Sequence, residues 1–129
     1  MKVDDFGGVH TIATAAELER LMRVRFSNDL NEFLLSHESS GYPLLAIFAK
    51  RDLAAIYYIP KDGDAGFASV GKDTGLPPDG TTTFLTGGNL GQELEVTNRA
   101  ILPFSVALRV ALEFLRDKQR PRSIEWLQL

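Results

Sequence analysis

The chain has 129 residues, of which 44% are hydrophobic and 24% are charged, the composition of an ordinary globular protein. Its length fits one domain, so we expect a single domain over residues 1–129 with one hydrophobic core. The absence of cysteine excludes disulfides and thiolate metal sites. A net charge of −3 and an isoelectric point near 5.3 argue against direct nucleic-acid binding, which usually requires a basic face.

The sequence also lacks the signals of export and membrane insertion. No apolar run approaches the roughly 20 residues that span a bilayer. The first residues include acids and no apolar stretch, which argues against a secretory signal. We therefore expect a cytoplasmic protein that does not bind membranes.

The first half of the chain predicts one helix among short strands. Thr14 and Glu17 have the spacing of a capping box, in which each side chain satisfies a free amide at a helix start. Apolar residues then recur at helical spacing, and further on two apolar runs flank a polar turn, as in a hairpin. The predicted elements are a strand at 9–12, a helix at 15–26, and strands at 31–37, 42–49 and 53–59.

The second half begins with a loop-rich region and ends in an apolar helix. Most of the eleven glycines lie between Gly63 and Gly91, which is typical of turns. Pro103 suits the first turn of a helix, and the helix after it is apolar around most of its circumference, as expected for one packed on a sheet. The predicted elements are strands at 67–70, 82–86 and 93–97, this helix, and a closing strand at 123–127.

This order of elements predicts an α+β fold. Antiparallel strands follow one another along most of the chain, so we expect one curved antiparallel sheet with the two main helices packed on one face. Trp126 alternates with Ile124 and should enter the core. Tyr57 and Tyr58 must point to opposite faces of their strand, one toward the core and the other toward the surface.

No motif in the sequence carries catalytic or metal-binding chemistry. His10 and His37 are far apart and lack the spacing of paired metal ligands. Asp62 and Asp64 have the spacing that starts a calcium loop, but the remaining ligands are missing. The glycine-rich turn at 87–91 precedes a strand, so no helix N-terminus is there to hold phosphate. We therefore expect no catalytic residue, no metal and no cofactor.

The charges are distributed unevenly. Residues 60–95 contain six acids and two bases, whereas residues 109–122 contain five bases and two acids. An acidic loop surface favours encounter with a basic partner, because opposed potentials speed association. The same acids could serve only to keep the protein soluble, and the sequence leaves both interpretations open.

The last third of the chain carries a pattern that matches a known family. An Ile-Leu-Pro segment starts an apolar helix with a Glu-Phe pair, and an Arg-Pro turn leads to a closing Ile-Glu-Trp strand. In this pattern the chain resembles immunity protein family one of bacterial polymorphic toxin systems, and the likeness extends upstream to 14–18 and to the hairpin at 43–58. The matching residues are Glu95, Val96, Ile101, Leu102, Pro103, Ala107, Ala111, Glu113, Phe114, Arg120, Pro121, Ile124, Glu125 and Trp126.

The resemblance implies a function without catalysis. Members of this family are similar to stoichiometric inhibitors that are encoded beside secreted toxins, often deaminases acting on nucleic acid, and protect the producing cell. For this chain the resemblance implies a cognate toxin domain as its protein partner and no cofactor. A toxin that binds nucleic acid presents a basic groove, which an acidic inhibitor could cover or flank.

The acidic loops at 61–66, 71–80 and 87–93 are the predicted contact with such a toxin, because acids steer association and a tyrosine can anchor it. The toxin-binding candidates are Tyr57, Asp62, Asp64, Asp73 and Asp79. The family-motif residues are expected to be architectural, and they are Glu95, Pro103, Phe114, Arg120, Pro121 and Trp126.

Two other functions fit the same residues. The first is a non-catalytic α+β interaction module in a homo-oligomer or multiprotein assembly, which an exposed edge strand at 124–127 would favour. The second is an enzyme or a small-ligand protein with a pocket under the sheet, against which stands the lack of convergent titratable groups. Monomer and homodimer are equally open.

Overall fold

The computed structural model describes residues 1–88 and 91–129. Ten β-strands and two α-helices lie among these residues. Short 3₁₀ turns precede β3 and β9. The elements are β1 (Lys2–Asp5), β2 (Gly8–Thr11), α1 (Ala15–Met22), β3 (Leu30–Ser36), β4 (Leu44–Lys50), β5 (Leu53–Ile59), β6 (Phe67–Ser69), β7 (Thr81–Thr86), β8 (Gln92–Thr97), β9 (Ile101–Pro103), α2 (Phe104–Asp117) and β10 (Trp126–Gln128).

The strands form a large antiparallel sheet and a separate hairpin. The order in the sheet is β10-β6-β5-β4-β3-β1-β2, while β7 and β8 pair with each other. The predicted α+β fold is confirmed. Two short strands, β1 and β9, were not predicted from the sequence, and the closing strand begins at Trp126 rather than at residue 123.

The centre of the sheet is apolar on both faces. β4 and β5 have buried residues on both faces, so each of their faces needs a cover. Both helices cover the same face, as predicted: Leu18 and Met22 of α1 and Phe114 of α2 are fully buried in one core with that face.

Helix α1 starts where the sequence predicts and ends earlier. The Glu17 amide donates to the Thr14 hydroxyl at 3.2 Å, and the Thr14 amide donates to the Glu17 carboxylate at 3.1 Å, which is the predicted capping box. The helix ends at Met22 instead of residue 26. The Arg25 guanidinium donates to the Met22 carbonyl at 2.7 Å, in place of the backbone amide that a longer helix would supply.

The β7–β8 hairpin covers the opposite face of the sheet. Its inward side chains Phe84 and Val96 are buried in a second core. Glu32 of β3 holds the far end of the hairpin, because its buried carboxylate accepts from the Thr86 hydroxyl at 2.5 Å and from the Gly87 amide at 3.3 Å. The protein therefore has three layers: helices, sheet and hairpin.

A buried serine joins the two strands that share one edge of β5. β9 pairs with the first half of that edge and β6 with the second half. Between them, the Ser69 hydroxyl accepts from the Ile56 amide at 3.1 Å and donates to the Ala100 carbonyl at 2.7 Å. Gly71 follows at a close crossing, where a Cβ atom would lie 2.6 Å from the Ile101 carbonyl oxygen. Ser69 thus satisfies backbone groups at the point along β5 where pairing with β9 ends and pairing with β6 begins.

We expect Ser69→Ala to lower the free energy of unfolding by about 2 kcal/mol, because a buried amide and a buried carbonyl lose their partner. Ser123→Ala, at an exposed serine, is the matched control and should change stability by less than about 0.5 kcal/mol. Urea unfolding followed by circular dichroism measures both. Equal midpoints for the two variants would show that the Ser69 hydroxyl does not hold this junction.

Candidate protein-binding surface

The first pair of acidic candidates lies in the turn between β5 and β6. Asp62 and Asp64 are both exposed there. The Asp64 carboxylate accepts a hydrogen bond from the Gly66 amide at 2.7 Å. It therefore stabilises the turn in addition to giving it a negative charge. Asp62 projects from the same turn, at the end of the sheet where β5 finishes. This turn offers a partner two solvated negative charges on an ordered backbone.

The second pair lies in the longer loop that leads from β6 to β7. Asp73 and Asp79 are exposed, and Asp79 accepts from the Arg99 guanidinium at 3.1 Å. Such an exposed ion pair contributes little to stability. It does place a base beside the acid, so the negative potential around Asp79 is weaker than the loop composition suggests.

Asn98 holds this loop, and sequence reasoning did not identify it. Its side-chain amide donates to the Pro77 carbonyl at 2.8 Å, and its side-chain oxygen accepts from the Thr82 hydroxyl at 2.6 Å. Its backbone amide also donates to the Gly80 carbonyl at 3.0 Å. Asn98 is buried, and a buried amide with several partners in one loop fixes that loop rather than merely flanking it.

The third predicted loop lies at the other end of the hairpin. Thr81 pairs with Thr97 at one end of the hairpin, and Thr86 pairs with Gln92 at the other. Five residue steps along a strand span about 17 Å, which separates the loop at 71–80 from the loop at 87–93. Asn89 and Leu90, in the middle of the third loop, lie outside the described residues. The three loops therefore do not form one patch.

The outer face of the hairpin is acidic. Glu93 and Glu95 alternate with inward residues on β8 and are exposed. Glu95 lies opposite Thr83 of β7, and Glu93 lies opposite Leu85. The two glutamates share this face, as their spacing predicts. Glu95 is thus placed in solvent, whereas the resemblance suggested an architectural role for it, which stays a prediction.

Tyr57 lies on the hairpin side of the sheet. Its ring packs edge-on against Phe48, with 5.8 Å between the ring centroids, and the side chain is half-buried. Burial raises the pKa of the Tyr57 phenol above its ordinary value. Tyr58 points to the opposite face and is buried beside Phe114, which confirms that the two tyrosines face opposite ways.

The other family-motif residues support the helix-side core. The Trp126 indole N–H donates to the Pro121 carbonyl at 2.7 Å, and its ring lies 6.3 Å from that of Tyr58. The Arg120 guanidinium stacks 4.1 Å above the Phe67 ring. Phe114 is fully buried, and Pro103 is the residue just before α2, at the end of β9, rather than in the first turn of the helix. These contacts tie the helix, the Arg-Pro turn and the last strand together.

The histidines have structural partners. His10 shares a hydrogen bond of 3.0 Å with the buried Asp5 carboxylate, and His37 shares one of 2.9 Å with the Phe114 carbonyl. Within residues 1–88 and 91–129, no group of three or more His, Cys, Asp or Glu side chains could hold a metal ion. Over the same residues, neither helix is long and apolar enough to cross a membrane.

Comparison with known proteins identifies similar chains. A family model described as Immunity protein Imm1 matches residues 7–128. A protein of Burkholderia cenocepacia (strain H111), named double-stranded DNA deaminase immunity protein, is 33% identical over 129 residues, which is 100% of this chain and 100% of that protein. Both matches extend well beyond the C-terminal pattern, and they include the strands and loops that carry the acidic candidates.

We expect Trp126→Ala to lower the free energy of unfolding by about 3 kcal/mol, since a large and partly buried aromatic leaves the core. Trp126→Phe keeps most of the ring and removes the indole N–H, so it should cost only about 1 kcal/mol. Guanidinium unfolding measures both variants. Equal losses would mean that the hydrogen bond to Pro121, rather than ring packing, holds the closing strand.

Proposed function

This chain belongs to the Imm1 family of immunity proteins, and on that premise we propose that it is a cytoplasmic inhibitor that binds one cognate toxin domain in a one-to-one complex. The observation that carries the proposal is the family match over residues 7–128, together with a relative that aligns along its whole length. Membership implies an inhibitor rather than a catalyst. In this proposal the chain has no catalytic activity and protects the cell that makes the toxin.

The toxin is proposed to be a deaminase that acts on nucleic acid. The relative from Burkholderia cenocepacia is named for a double-stranded DNA deaminase. Such an enzyme must hold a phosphate backbone with basic residues and extrude the target base into a pocket. A negatively charged inhibitor is suited to cover that groove or to bind beside it and block access.

The acidic turns supply the long-range attraction in this proposal. Asp62, Asp64, Asp73 and Asp79 are all exposed, so their charges stay solvated and act mainly on the rate of encounter. They lie in two separate loops, and Asp79 is partly offset by Arg99. We therefore propose that Asp62 and Asp64, in the β5–β6 turn, increase the association rate more than Asp73 and Asp79 do.

An assembly module with no toxin is the second candidate. β10 lies at the outer edge of the sheet, and Leu127 and Leu129 beside that edge are exposed. An open strand edge with apolar side chains favours pairing with another chain. Failure of the chain to bind the toxin in the titration below would move this candidate to first place.

The chain should bind the toxin domain encoded beside it with one-to-one stoichiometry and abolish its deaminase activity. Calorimetric titration measures the binding, and deamination of a labelled double-stranded DNA measures the inhibition. If the inhibitor covers the groove, raising the DNA concentration should weaken inhibition, because the two compete for one surface. Binding that leaves the activity intact would contradict the proposal.

Reversing the charges of one loop at a time should separate their contributions. Asp62→Lys with Asp64→Lys should slow association with the toxin more than Asp73→Lys with Asp79→Lys, and 0.5 M salt should reduce the difference because salt screens solvated charges. Surface plasmon resonance at low and high salt measures both rate constants. Unchanged association of both double variants at low salt would remove these loops from the steering surface.

A further inference from the structure

An apolar strip crosses the hairpin side of the sheet where β5, β6 and β10 lie side by side. Tyr57 pairs with Ala68, and Ala68 pairs with Leu127, so the three side chains form a row on one face. Two residues further along their strands, Ile59 and Leu129 follow on the same face by alternation. We call Tyr57, Ile59, Leu127 and Leu129 the C-terminal corner.

The C-terminal corner is open to solvent. Leu127 is 60% exposed and Leu129 is 56% exposed, and among the described residues these two belong to neither core. Tyr57 and Ile59 are half-buried and present the rest of their surface beside them. Exposed apolar side chains gathered at one place, with polar residues around them, are typical of a protein interface.

The backbone under this corner is fixed before any partner arrives. The Leu129 amide donates to the Gly66 carbonyl at 2.9 Å, which continues the pairing of β10 and β6 past the end of the strand. The Gly66 backbone lies close against β5, because a Cβ atom there would clash with the Tyr58 carbonyl oxygen. An ordered surface loses little conformational entropy on binding. Burial of its apolar area therefore increases affinity more than burial of the same area on a flexible surface would.

The rim of the corner is acidic. Asp62 and Asp64 lie in the turn that ends at Gly66, and Glu125 precedes Leu127 by two residues on the same chain segment. All three are exposed, against one base, Lys61, in the turn. An apolar centre with an acidic rim matches a partner that has apolar side chains surrounded by Lys and Arg.

We propose that the C-terminal corner is the anchor of the toxin interface, with Tyr57 and the two leucines at its centre and the β5–β6 acids at its rim. This assignment rests on the proposed function and adds the surface that holds the toxin after encounter. The chemistry of the toxin fits, because a protein that binds a phosphate backbone carries basic residues to meet the rim.

A second copy of this chain is the poorer occupant. A two-fold symmetric dimer brings the same patch of each copy together. Acids of the rim would then meet acids of the same rim across the contact, and like charges brought together at an interface weaken it. The acidic rim therefore selects a basic partner over self-association.

The test replaces the two exposed leucines, since their removal leaves both cores intact. The corner variant carries Leu127→Ser and Leu129→Ser, and the matched control carries Val9→Ser and Val24→Ser. The control side chains are also exposed, at 65% and 40%, and lie elsewhere on the surface. Calorimetry and surface plasmon resonance with the toxin domain measure affinity and rates, and scanning calorimetry measures Tm.

The corner variant should bind the toxin at least about 30-fold more weakly, mainly through faster dissociation, as expected when hot-spot side chains are lost. The control should stay within about threefold of the wild type, and the two variants should have similar Tm values. Equal affinities for the two variants, with the wild type binding the toxin, would overturn the assignment and leave the proposed function standing.

Two further outcomes also decide the matter. A wild-type chain that does not bind the toxin would overturn the proposed function and, with it, the assignment of the corner. In the other outcome, the wild type sediments as a dimer, while the corner variant is monomeric and still binds the toxin fully. This result would show that a second copy of the chain binds the corner, and it would overturn the assignment alone.

Discussion

Burial of both faces of β4 and β5 is the constraint on which the structure depends. Their side chains are apolar on each face, and neighbouring strands can satisfy only their backbone hydrogen bonds, so each face needs its own layer. The helices cover one face and the β7–β8 hairpin covers the other. To cover this face, the hairpin lies outside the main sheet. As a result, the loops at 71–80 and 87–93 lie at opposite ends of the hairpin.

Buried polar side chains specify how the layers and loops are positioned relative to one another. Apolar packing alone is not directional, whereas a buried hydrogen bond fixes one geometry. Glu32 holds the far end of the hairpin, Asn98 holds the loop that enters it, and Ser69 joins β6 to the segment before β9. Each of these residues connects segments that are distant in the sequence, so together they set the positions of the acidic loops.

In the proposed interface, charge and apolar contact have different roles. The exposed aspartates can attract a basic partner over a distance, but their solvation limits the affinity they provide. The apolar strip at the end of β5, β6 and β10 can provide affinity once the partner is near. Tyr57 fixes the apolar strip to the sheet, because its ring packs on Phe48 and it shares a row with Ala68 and Leu127. This division suits an inhibitor that must find its toxin quickly and then retain it.

The sequence by itself determined the α+β class, the capping box at Thr14, the central hairpin, the apolar helix α2 and the family, because local periodicity, capping and a contiguous motif encode them. Only the tertiary structure decided that β7 and β8 form a separate layer and that β9 and β6 share an edge of β5. It also placed Tyr57 in one row with Leu127. These features depend on pairings between residues far apart in the chain, and strand register over such distances has no local signal in the sequence.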